Sequence, residues 1–130
     1  MTWQDAFLAL AGLVGGGTAV VHGMLIQRLV VRPFGAFLAT APRTPAAIKR
    51  IMPLLVHFST IAWLLGGLAL IAAAGWFGPQ ARLVTGLSVG SLYLLGALAN
   101  LWGTRGRHPG WMLMAAAVVL IGYGVCGSSG

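Results

Sequence analysis

Four apolar runs, separated by segments that hold nearly all of the charge, constrain this chain more than any other feature. The runs cover about residues 6–27, 51–75, 83–103 and 111–125. A helix needs about 20 apolar residues to cross a ~30 Å hydrocarbon core at ~1.5 Å per residue. The first three runs meet that length and the fourth falls short of it. Composition agrees: 58% of the 130 residues are hydrophobic and 7% charged, where a soluble domain carries about 25% charged residues. Mean hydropathy is +0.91. The expected fold class is all-α, an integral membrane up-down four-helix bundle forming one transmembrane domain, because short connections favour antiparallel neighbours. The first run opens on Asp5 rather than Lys or Arg. It also outlasts the about 7–15 apolar residues of a signal peptide, so it reads as a retained span.

Charge sets the expected orientation. Asp5 is the one acid against eight Lys and Arg. Arg28, Arg32, Arg43, Lys49 and Arg50 lie in segment 28–50, Arg105 and Arg107 in segment 104–110, and Arg82 alone between the second and third runs. Cytoplasmic connections collect Lys and Arg. Segments 28–50 and 104–110 are therefore placed in the cytoplasm, and both termini on the outer, periplasmic side of a bacterial inner membrane. Cations that alternate with apolar spans are not a nucleic-acid footprint. The expected partners of Arg28, Arg32, Lys49, Arg50, Arg105 and Arg107 are the anionic headgroups of the bilayer. Trp3, Phe7, Trp76, Phe77 and Trp102 mark its interfaces.

Within segment 28–50, Pro33, Pro42 and Pro45 are expected to prevent one continuous helix, with the apolar stretch 34–38 lying in the interface. Pro53 is expected in the first turn of the second span, and Gly-Ser-Ser-Gly, 127–130, as a flexible tail. Small residues recur at helical spacing: Gly12, Gly16, Ala19 and Gly23 on the first run, and Gly86, Gly90 and Ala97 with Tyr93, Asn100 and Thr104 on the third. Such stripes admit close helix packing. No strand precedes Gly15–Gly17 and no GK[ST] follows, so the three glycines are not a phosphate loop.

Three polar side chains fall at similar distances from the cations: His22 six residues before Arg28, His57 seven after Arg50, and Asn100 five before Arg105. By helix rise this puts each ~7–11 Å inside. An ionisable group at such depth is costly and marks a candidate site. Two readings stay open. In one, His22 and His57 hydrogen-bond across helices and fix their register. In the other they hold a ligand. A b-type haem would take His22 and His57 as axial ligands, their one metal role, with Arg28, Lys49 and Arg50 near the propionates. A quinone would take a histidine, with Asn100 and Tyr93 as supporting groups and Phe58, Trp63 or Trp102 as an aromatic wall. His108 reads as part of a surface anchor. Lone Cys126 excludes an intrachain disulfide and any cysteine-built zinc or iron-sulfur site. No nucleophile stands beside a base in the sequence, so no catalytic residue is assigned.

His22-Gly-Met-Leu-Ile-Gln-Arg28 with Arg32-Pro33, His57-Phe-Ser-Thr-Ile-Ala-Trp63, and Arg107-His-Pro-Gly-Trp111 resemble a group of small, uncharacterised bacterial four-span membrane proteins. The resemblance implies the bundle and attention to His22 and His57; it implies no chemistry. The expected function is that of a non-catalytic accessory or structural subunit, packing through its glycine stripes within a larger membrane complex or against itself. The alternative is a membrane-embedded redox or ligand-binding module built on His22 and His57.

Overall fold

The computed structural model describes residues 1–126; the 127–130 tail, expected to be flexible, lies outside the described residues. Among the described residues the chain is all-helical: α1 Trp3–Ile26, a π-helical turn Gln27–Val31, α2 Arg32–Thr40, α3 Ala46–Trp76, α4 Pro79–Gly103 and α5 Gly110–Cys126. The first three run on as one rod of 38 residues, Trp3–Thr40, so four columns make the bundle. In it α1 packs on α3 and α5, and α4 closes the ring between α3 and α5. The rod, α3 and α4 are each long and apolar enough to cross a membrane, whereas α5 has 17 residues.

Segment 28–50, expected as a loop, is mostly helical, and only residues 41–45 leave the helix. Pro33 does not stop the rod because the turn before it widens. Arg32 N–H reaches Gln27 O, five residues back. A π turn of this kind takes up one extra residue, and it moves away the carbonyl that a proline ring would crowd. Pro42 and Pro45 do bracket the break. Directly after Pro45, the helix formers Ala46, Ala47, Lys49 and Arg50 start α3 earlier than the expected Ile51. Pro53 consequently lies inside the helix, not in its first turn. The early start also makes α3 long: 31 residues give ~46 Å of helix, against ~25 Å for α5. The surplus projects past the start of α5 as a two-helix arm, α2 against the first turns of α3.

The glycine stripe of α1 is used within the chain. A methyl group on Gly67 of α3 would lie 2.7 Å from Gly12 O and 3.0 Å from Gly16 Cα. One on Gly23 would lie 2.7 Å from Thr60 Cγ2. The α1–α3 seam is therefore nearly backbone on backbone. Gly15 meets the ring of Tyr93, a fully buried post at the bundle centre whose OH donates to Trp63 O at 3.0 Å. Leu8, Leu70 and Met114 are the other large side chains that are fully buried. The α4 stripe faces inward: Gly86, Tyr93 and Ala97 are buried and Gly90, Asn100 and Thr104 half-buried.

One end of the bundle is closed by charge. Thr2 N–H donates to Asp5 Oδ2 at 2.7 Å and Asp5 N–H to Thr2 Oγ1 at 3.3 Å, a capping box that starts α1. Asp5 Oδ1 also accepts from Arg82 Nη1. The same guanidinium donates through Nε to Ala73 O at 3.0 Å and Phe77 O at 2.8 Å, and through Nη2 to Ala74 O at 2.9 Å. Carbonyls at the end of a helix have no partner within it. Arg82 supplies a donor to Ala74 O of α3 and to Phe77 O just past it, and shares Ala73 O with the Phe77 N–H, while joining the starts of α1 and α4.

Candidate ligand pocket at the basic end

At the opposite end a cavity of about 290 Å³ opens beneath the turn that starts α5. Its walls come from every column: Val14, Thr18, Val21 and His22 on α1, Trp63 on α3, Asn100 on α4, and His108, Pro109, Gly110 and Leu113 around the start of α5. That volume is at the lower bound of small-molecule sites, which span about 300–1,000 Å³.

Local structure aims each polar group. The imidazole of His22 lies against the indole of Trp63, ring centroids 4.8 Å apart and tilted by 51°. Trp63 is held in turn by the Tyr93 bond to its carbonyl. Asn100 Nδ2 donates back to Gly96 O at 2.9 Å, which leaves Oδ1 as its acceptor. His108 Nδ1 accepts from Gly110 N–H at 3.1 Å, capping the first turn of α5. The ring proton of neutral His108 is therefore on Nε2. Thr18 returns its hydroxyl proton to Val14 O at 2.7 Å. Among the described residues His22 makes no hydrogen bond, so both of its ring nitrogens stay available. The cavity thus offers an imidazole, an amide oxygen and a second imidazole N–H on otherwise apolar walls.

Of the residues chosen from sequence, the fold brings His22, Asn100 and the aromatic Trp63 together. It does not bring His57 with them. His57 Nε2–H donates to Gln27 Oε1 at 2.8 Å, tying α3 to the π turn, and His57 is outside the cavity lining. Tyr93 serves the cavity indirectly, through Trp63. Arg28 and Arg50 are exposed and line no part of it. A haem bridging His22 and His57 does not fit. It would have to enter between α1 and α3, where Gly23 is pressed on Thr60. Among the described residues no three His, Cys, Asp or Glu side chains cluster to hold a metal ion.

From sequence, His108 reads only as part of a surface anchor, and Gln27 is not singled out. His108 sits two residues ahead of α5, where a side-chain acceptor caps a helix; the position before Pro109-Gly110 was its only signal. Gln27 is the one amide near the end of α1, and nothing in its spacing named His57 as its partner. Searches against protein families, curated proteins and solved structures find no match to this chain.

Proposed function

We propose that this chain is a bacterial inner-membrane protein of four antiparallel helices with both termini outward. In this reading it is a non-catalytic accessory subunit that binds a small amphipathic molecule in the cavity of His22, Asn100 and His108. Three long apolar helices and an exposed surface rich in Leu, Val and Phe support the membrane placement. Orientation draws on the contrast of the ends: Arg82 is neutralised by Asp5, while the pocket end carries Arg28, Arg105 and Arg107 unopposed by acid.

The observation that carries the binding reading is His22, a half-buried imidazole on the wall of a cavity that makes no hydrogen bond among the described residues. Interhelical register bonds would satisfy such a group; His57 and Gln27 do this and His22 does not. Asn100 Oδ1 accepts, His108 Nε2–H donates, and His22 does either according to its tautomer. With Val14, Val21 and Leu113 around them, they suit a compact ring bearing carbonyl or hydroxyl groups, the quinone and quinol class.

Titration of a short-tailed benzoquinone into the detergent-solubilised protein, followed by tryptophan quenching, tests the binding reading. Saturable quenching should weaken at least about tenfold in His22→Leu and Asn100→Leu and stay unchanged in His57→Leu, an about 1.4 kcal/mol separation. Equal quenching in all four proteins would refute it. Orientation is read separately from Cys126, which is exposed. A membrane-impermeant maleimide should label it from the periplasmic side, and labelling only after lysis would reverse the topology.

A further inference from the structure

A second cavity, about 190 Å³, lies in the projecting arm. Val31, Phe34 and Leu38 form one wall, and Lys49, Met52 and Pro53 of α3 the other. It opens where both helices are irregular: the π turn on the rod and Pro53 on α3. The interior is apolar apart from Lys49, and Arg32, Arg43 and Arg50 stand on the same arm. No acid balances them, because Asp5 is at the far end of the bundle and held by Arg82.

These features select an occupant. A second copy of the arm would set four cations against four with no acid between them. A partner helix, ~10–12 Å across with its side chains, is too wide for the space. A hydrocarbon chain is narrow enough, and an anionic head on it would meet Lys49. We propose that the arm groove holds one acyl chain of an anionic glycerophospholipid, with the lipid phosphate at Lys49. This rests on the membrane placement proposed above and on no property of the His22 cavity.

Native mass spectrometry from mild detergent tests it, with phosphatidylglycerol and phosphatidylcholine of identical chains supplied in equal amounts. The wild type should retain a single phosphatidylglycerol with about tenfold preference. Gly35 lines the groove, and a Cβ there would meet nothing within 4 Å. Gly35→Phe has room to fold and should fill the groove and abolish retention. Lys49→Gln should keep an acyl chain and lose the headgroup preference. Arg107→Gln, remote from the arm, should retain lipid as the wild type does. Equal retention of the two lipids by the wild type, undiminished retention in Gly35→Phe, or an equal loss in Arg107→Gln and Lys49→Gln would each overturn the assignment. Recovery of the chain in the soluble fraction would defeat the membrane placement itself, a different failure.

Discussion

At one end of the bundle Asp5 and Arg82 are held by each other, by Thr2 and by three carbonyls at and just past the end of α3. At the other, His22 stands on a cavity wall with no hydrogen bond among the described residues, and Asn100 and His108 each use one polar atom and leave one over. Both ends contain polar groups that are expensive to bury. Only one end satisfies them from within the chain. A satisfied cluster fixes helix ends, whereas a part-satisfied one on a cavity has capacity for a ligand. The same contrast separates the two deep histidines, since His57 is spent on Gln27 and His22 is not.

The largest effect should come from breaking the closed end. Arg82→Ala leaves a nearly buried carboxylate, its side chain 11% exposed, and takes the donor from Ala74 O and Phe77 O, while Ala73 O keeps the Phe77 N–H. Thermal unfolding in detergent should show a loss of about 2–4 kcal/mol. Next is the seam between the ends. Gly67→Ala puts a methyl group 2.7 Å from Gly12 O, and relief requires backbone movement, which costs about 1–3 kcal/mol. Tyr93→Phe removes the bond to Trp63 O at about 1 kcal/mol. Because Trp63 backs His22, it should also weaken quinone quenching, and unchanged quenching would detach Tyr93 from the pocket.

How much of this was legible in the sequence differs by feature. Helix faces were, because the stripe from Gly86 to Thr104 on α4 is set by local spacing. The level shared by His22 and Asn100 was too, since Arg28 and Arg105 sit close to one end of the bundle. His57 was misjudged by the same ruler. Arg50, from which its depth was counted, stands on an arm that extends past that end, so seven residues from Arg50 do not reach the His22 cavity. The arm was hidden because Pro33 reads as a breaker, and the π turn that accommodates it is a hydrogen-bond rearrangement without a residue code. Nor did spacing disclose that Asp5 and Arg82, 77 residues apart, would meet.

The smallest expected effects are the most discriminating. Gln27→Leu and His57→Leu should each lower stability by about 0.6–1.7 kcal/mol, the range of interhelical hydrogen bonds in membranes, and leave ligand binding intact. His22→Leu should leave stability within about 0.5 kcal/mol and remove binding. A His22→Leu loss as large as that of His57→Leu would give both histidines the same structural role and erase the contrast.

The most direct measurement is a nitrogen-15 spectrum of histidine-labelled protein, with and without the short-tailed benzoquinone. The chain has three histidines, so each variant assigns one set of ring signals. Ligand should shift the rings of His22 and His108 and leave His57 unmoved, its proton on Nε2. Shifts at His57, or at none of the three, would contradict a pocket built from His22, Asn100 and His108.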